Sequence, residues 1–199
     1  MIAWKKPQNR PIKSLLYQWR ISKAQLRYFD RLGLVKNKFG LPVLGLIKGY
    51  QSQISALKDF HRGQSCVIIC NGPSLRTARL GLLAKLPTFA VNSIFLLQEN
   101  LDFIPDFYTV EDNHVLHDNL PDIKKLMAKV KFFPDKYYGY FSSEDKQFFL
   151  PVVWDNYFKS NPSYEYPEFS TDIVRSIYTG QTVTYLNLQL AYYMGFKRV

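Results

Sequence analysis

The sequence predicts an α/β domain of Rossmann-like, three-layer type, with a mainly parallel sheet, an aromatic lid insertion and a basic helical N-terminal extension. Three observations predict it. Short, almost wholly apolar runs alternate with helical stretches after residue 63, as in parallel sheets buried on both faces. The run Cys66–Cys70 is followed at once by a turn of Asn, Gly, Pro and Ser that opens a helix. The charge is lopsided. Of the formal +10, residues 1–62 carry 13 Lys and Arg against only Asp30 and Asp59, and the remainder is close to neutral.

Residues 1–62 form the first predicted unit. Ile12, Leu15, Leu16, Trp19, Leu26, Phe29 and Leu32 recur at helical spacing, with Lys13, Arg20, Lys23, Arg27 and Arg31 between them. Such a helix can lie on an anionic membrane surface, although helices of this kind more often pack on their own domain with a solvated basic face. A second helix is predicted from about Val43 to Phe60, after the break Gly33 to Pro42.

The second predicted unit spans residues 63–199. Cys66–Cys70 is strand one, Thr88–Val91 strand two, Asp106–Val110 strand three and Val130–Phe133 strand four. Helices are expected over Leu75–Leu86, Ser93–Asn100, His114–Lys129 and Thr182–Met194, the last closed by Gly195. Residues 134–170 are rich in Tyr, Phe, Trp and Pro without a steady period and read as the lid. A further strand is predicted to begin at Phe196.

Composition excludes several classes. With 47% hydrophobic residues and 16% aromatics the chain is not disordered. No apolar run reaches the ~18 residues of a membrane span, and Met1–Lys13 lacks the apolar segment of a secretory signal. Cys66 and Cys70, four apart on a strand, are too distant to bridge, since ~3.3 Å per residue separates them by ~13 Å. They read as small buried hydrophobes of a reducing, cytoplasmic protein, peripheral at most to the inner face of a membrane. No specific nucleic-acid partner is expected.

Ligands of open parallel sheets bind outside the carboxyl ends of the strands. Asn71, Gly72, Pro73 and Ser74 follow strand one. Gly72 permits a positive φ, Pro73 presets a helix start, and the N–H groups of Ser74, Leu75 and Arg76 are then available to a phosphate; a plain tight turn is the other reading. Asn92 follows strand two, as a ligand contact or a helix cap. Glu111 and Asp112 follow strand three and are the candidate catalytic residues. They suit a phosphate-bridging cation such as Mg²⁺, or an exposed helix start. His114 and His117, one turn apart, suit a metal less well than a solvated face. Thr182 and Thr184 open the last helix as a second anion-binding terminus.

The segment Cys66-Val67-Ile68-Ile69-Cys70-Asn71-Gly72-Pro73-Ser74-Leu75 resembles the opening motif of the MptE-like family, named for 6-hydroxymethylpterin diphosphokinase. Gly180-Gln181-Thr182-Val183-Thr184-Tyr185-Leu186, continuing to Phe196, resembles its later motif, and Tyr108–Asp112 sits where members carry a similar stretch. The resemblance covers roughly residues 60–199. The opening motif is also similar to that of bacterial sialyltransferases that use CMP-activated sugar. There the loop Asn and the Asn after strand two contact the nucleotide, roles that pass to Asn71 and Asn92.

The resemblance implies a nucleotide-dependent transferase, foremost a glycosyltransferase of surface-glycan or flagellin-glycan assembly. A pterin diphosphokinase using ATP and Mg²⁺, and a noncatalytic nucleotide- or glycan-binding module, are the alternatives. Cys70 stands where Gly is common in the family. Members continue past the position of Phe196, so the sequence is expected to be a partial domain, truncated at its C-terminus and weak in catalysis.

Overall fold

The structure is a computed structural model that describes residues 51, 53–77, 80–100, 103–141, 147–154, 159, 164–166 and 168–199. The basic amphipathic helix expected over residues 12–32 lies outside the described residues, as do residues 43–50 and 52 of the helix expected from Val43 to Phe60.

The four predicted strands form and pair in parallel: β1 (Val67–Ile69), β2 (Thr88–Val91), β3 (Phe107–Thr109) and β4 (Val130–Pro134). A fifth strand, β5 (Gln147–Leu150), pairs in parallel with β4, and the spatial order is that of the chain, β1-β2-β3-β4-β5. Residues 147–150 were expected within the lid. Instead Phe148 and Phe149 extend the sheet, because a strand buried on both faces carries no alternation to mark it. A two-stranded parallel sheet of β6 (Val152–Val153) and β7 (Ile177–Tyr178) follows.

Successive right-handed crossovers that all step the same way across a sheet put every connection on one face. That is observed. Ile69, Ala90, Tyr108, Phe133 and Phe149 bury against the connecting residues Leu75, Leu83, Ile94, Leu116 and Ile123. Their strand neighbours Phe89, Phe107, Phe132 and Leu150 point the opposite way, as a period of two requires. They meet Leu186, Leu190 and Ala191 of the long C-terminal helix, together with Ile54, Ile173 and Ile177. The result is the expected three layers.

The connections are more broken than expected. Leu75–Leu86 is two 3₁₀ stretches, Pro73–Thr77 and Leu80–Lys85, and a third 3₁₀ stretch runs from Asn92 to Asn100. The predicted helix His114–Lys129 is two short ones, α1 (Asn113–Asp118) and α2 (Leu120–Lys125), parted at Asn119. Pro121 supplies the reason, since it lacks the N–H that would continue α1. The last helix, α3 (Val183–Tyr193), forms as predicted, with Gly195 beyond it at φ 83.

Two features place the site. The core begins earlier than residue 63. Ile54 is fully buried, and Asp59, His61 and Gly63 donate backbone N–H groups to Tyr193, Met194 and Gly195 at 3.0, 2.8 and 3.0 Å. Second, the chain comes back to β1 from the other side. Cys66 N–H donates to the carbonyl of Arg198 at 2.9 Å while Val67 N–H donates to Pro87 at 3.0 Å, and Ser65 bridges Arg198 in parallel. Successive N–H groups of a strand point to opposite edges, so Arg198 lies on the edge away from β2. The order of construction therefore reverses at β1, which makes the crevice beyond its carboxyl end the topological switch point.

Candidate functional site

The segment after β1 is tied to both neighbours at this crevice. Asn71 Nδ2 donates to the carbonyl of Val91, the last residue of β2, at 3.0 Å. Cys70 Sγ lies 3.3 Å from Thr184 Oγ1 on the first turn of α3. Thr182 caps α3, its side chain accepting from Thr184 N–H at 3.3 Å. The two motifs, over a hundred residues apart in sequence, thus meet at one place.

The details of the first loop depart from expectation. Gly72 is not in the left-handed region, and a Cβ added to it would meet nothing closer than Ser74 Oγ at 3.7 Å. Pro73 does open a helical turn, but the N–H of Leu75 donates to the carbonyl of Gly72 at 3.0 Å and is not available to a phosphate. A 3₁₀ turn closes its hydrogen bonds one residue earlier than an α-turn, which consumes that donor. Asn71, Gly72, Pro73 and Ser74 remain exposed.

The glycine demanded by sterics is Gly180, where a Cβ would run into the Tyr185 ring. Beside it Gln181 adopts φ 63, and across the crevice Asn92 adopts φ 43. Left-handed backbone is unfavourable for residues other than glycine, and such strain collects at functional sites. Asn92 does not cap the next helix. Its Oδ1 is buried with no hydrogen-bond partner, while its backbone carbonyl accepts the Tyr108 hydroxyl at 2.7 Å.

Beyond β3 the two acidic candidates separate. Asp112 Oδ1 accepts from the N–H groups of His114 and Val115 at 2.6 and 3.0 Å, so Asp112 is the N-cap of α1. Glu111 is 4% exposed, and neither carboxyl oxygen has a hydrogen-bond partner. Burial raises its pKa from an ordinary 4.5 to about 7; nearby Lys136 opposes the rise and Asp112 adds to it. Tyr137 Oη, 2.7 Å from the Glu111 carbonyl and 2.6 Å from Asn113 Oδ1, fixes the backbone there. Lys136 Nζ sits 3.1 Å over the Trp154 ring.

Sequence reasoning missed Asn187. It is fully buried on α3 and its Oδ1 accepts the Thr109 hydroxyl at 2.9 Å, but its Nδ2 has no partner. Gln189, equally buried, is satisfied throughout. It accepts from Ser170 and Tyr178 N–H and donates to the Tyr178 and Tyr185 carbonyls. Gln189 therefore holds structure, whereas Asn187 keeps an unused donor. The signal for it was an Asn three residues after Thr184, on the face that also carries Val183 and Leu190.

The histidines stand apart. His114 is exposed, and His117 packs edge-on against Tyr140 with ring centroids 5.0 Å apart. Both cysteines are free; Cys66 is buried, which raises its thiol to about 11, whereas Cys70 is exposed rather than buried as expected. Among the described residues no group of three His, Cys, Asp or Glu is placed to hold a metal, and none of the helices is long and apolar enough to cross a membrane.

A family model described as 6-hydroxymethylpterin diphosphokinase MptE-like matches residues 45–199, and the chain belongs to this MptE-like family. Membership places it in a nucleotide-related transferase or kinase-like family. The match reaches N-terminal of the buried Ile54, in keeping with the early start of the core. No curated protein and no solved structure matches the chain.

Proposed function

We propose that the protein is a nucleotide-dependent transferase whose site lies at the carboxyl ends of β1, β2 and β3, with glycosyl transfer as the reaction. The observation that carries this reading is Glu111, a buried carboxyl without a hydrogen-bond partner, just past the carboxyl end of β3 on the same edge of the sheet. Native proteins rarely leave a buried acid unpartnered, and such a group in a cleft is a candidate for proton transfer. With a pKa of about 7, Glu111 is half ionised near neutrality and is matched to taking a proton from an acceptor hydroxyl.

In this reading Asn71 and Ser74 at the first loop, with Thr182 and Thr184 opposite, face the phosphates of the donor, and Asn92 contacts its nucleoside. Mg²⁺ does not fit as a protein-held ion. Asp112 is committed to its cap, and Glu111 is a single carboxyl beside Lys136. No step is routed through a metal.

The family's own description favours a second reading, diphosphoryl transfer from ATP to a pterin. Titration calorimetry of the full chain with CMP, CDP, UDP, ATP and GTP, followed by turnover assays with CMP- and UDP-sugars and with ATP, Mg²⁺ and a hydroxymethylpterin, separates the two. Cytidine or uridine nucleotide binding with turnover that falls ~10²–10⁴-fold in Glu111→Gln supports glycosyl transfer. Turnover with ATP and pterin supports the second. Tight binding of a nucleotide without turnover of any donor makes the protein a binding module, and absence of all nucleotide binding overturns the proposal.

A further inference from the structure

The edge of the sheet opposite the crevice carries a different pattern. Phe89, Phe107 and Val130 are paired across β2, β3 and β4. Three residues before each stand Leu86, Ile104 and Met127, where the chain enters these strands. Hydrogen bonds keep the three entries aligned. Asp106 accepts from the Thr88 N–H at 2.9 Å and from the Lys129 ammonium at 2.7 Å, and the Lys129 N–H donates to the Pro105 carbonyl at 3.0 Å. Leu86, Ile104 and Met127 therefore form a row that follows the edge from β2 to β4, where neighbouring strands stand ~4.8 Å apart. All three face solvent, at 40%, 47% and 56% exposure.

Lysines rim the row. Lys85 directly precedes Leu86, and Lys124 and Lys125 close α2 just before Met127. All three are exposed, and among the described residues none is paired with an acid. The acids fixed at this edge are occupied, Asp106 by Lys129 and Asp59, beside Gly195 beyond the end of α3, by Arg62 at 2.9 Å. Asp122 lies in the first turn of α2, away from Met127.

Three kinds of partner differ in what they use of such a surface. A nucleic-acid backbone engages the lysines and leaves the apolar row in water. A protein interface is centred on apolar and aromatic side chains and is poor in lysine. An anionic bilayer uses both, since apolar side chains enter the acyl boundary while the lysines along the rim meet the headgroups. We propose that the amino-terminal edge of the sheet seats on an anionic lipid surface through Leu86, Ile104 and Met127, with Lys85, Lys124 and Lys125 as its cationic rim. Six residues, ~20 Å of extended chain, part Leu86 from Asn92, so a molecule seated in this way keeps its crevice open to the aqueous side. The seat is independent of the reaction assigned to the crevice.

Residues 12–32 also carry basic side chains, so the test removes the two sources of charge separately. Co-sedimentation of the full chain with vesicles of phosphatidylcholine, alone or mixed with phosphatidylglycerol, gives partition constants at low and high salt. One triple variant, Lys85→Gln with Lys124→Gln and Lys125→Gln, removes the rim, and its Lys→Arg counterpart keeps the charge. A second, Leu86→Ser with Ile104→Ser and Met127→Ser, removes the row. A third, Lys13→Gln with Lys23→Gln and Arg27→Gln, takes equal charge from the N-terminal segment. Circular-dichroism melts verify the fold, and Ile104→Ser alone replaces the serine triple if that triple does not fold. Each basic side chain near an anionic surface contributes roughly fivefold to partitioning, so the glutamine triple is expected to lose about a hundredfold and the arginine triple to bind as wild type does. The serine triple is expected to lose about tenfold or more. Salt-sensitive binding to anionic vesicles that both edge variants lose and the arginine triple keeps supports the proposal. Absence of wild-type binding, equal binding to neutral vesicles, or loss in only one of the two edge variants overturns it. Edge variants that bind as wild type does, with binding lost only in the N-terminal variant, also overturn it. A dimer in sedimentation velocity that the serine triple dissociates, without vesicle binding, assigns the row to a second copy of the chain and overturns the lipid seat.

Discussion

Replacing Glu111 with Gln is expected to stabilise the protein in alkaline buffer and to do so progressively less as the pH falls. The folded state holds the Glu111 proton with a pKa of about 7, against an ordinary 4.5. Between those values the folded chain binds a proton that the unfolded chain releases, so stability falls as pH rises through this window and levels off above it. At about 1.4 kcal/mol per pKa unit, the ionised carboxyl costs about 3 kcal/mol at pH 8 relative to pH 4. Glutamine keeps the shape and never ionises. The difference between variant and wild type should therefore approach zero near pH 4 and grow to about 3 kcal/mol by pH 8. For a domain of this size that is a rise in Tm of roughly 6–12 °C. Urea denaturation of both proteins at pH 4.5, 6, 7 and 8 reads it directly, because titrations common to both cancel. A difference that is flat across this range, or a variant less stable at pH 8, would refute the claim that burial of Glu111 without a hydrogen-bond partner outweighs the attraction of Lys136.

Gly180→Ala should lose about 1–3 kcal/mol in chemical denaturation, since its Cβ enters the Tyr185 ring. Gly72→Ala should stay within about 0.5 kcal/mol of wild type, because only Ser74 Oγ at 3.7 Å faces the new methyl. Any loss of nucleotide affinity in Gly72→Ala then reports close approach of ligand to the backbone. Asp112→Ala should cost about 0.5–2 kcal/mol through its lost cap and leave nucleotide binding within twofold by calorimetry; a collapse of binding would restore it to the site. Asn187→Ala strands the Thr109 hydroxyl and should lower the unfolding free energy by about 1–3 kcal/mol, measured by urea titration.

Much of the fold was legible in the sequence. The first four strands are marked by short apolar runs bounded by Pro, Asp or Asn, signals that depend only on local sequence and survive any tertiary arrangement. The last helix was equally plain, with Thr182 at its start and Gly195 past its end. The residues following three strands were singled out because a parallel sheet must send all its carboxyl ends to one edge. Asn71 bonds the last residue of β2, Cys70 meets Thr184 on α3, and Asn92 and Glu111 follow β2 and β3 at that same edge.

What the tertiary structure alone decided concerns partners rather than elements. Strand β5 was hidden because an aromatic run buried on both faces looks like any other apolar stretch until β4 is beside it. Glu111 and Asp112 are neighbours of the same type, and only the start of α1 assigns one carboxylate to two amide donors while leaving the other buried and unpartnered. Asn187 and Gln189 likewise differ by which groups the fold brings to them. The loop Gly72 is sterically dispensable, and Gly180, in sequence only the first residue of the later motif, is necessary, because the space around a Cβ is set by a side chain packed back upon it. Local sequence encodes the tendency to form a strand, a turn or a cap. Whether a polar atom is satisfied depends on groups that approach it from distant parts of the chain, which no local stretch of sequence displays.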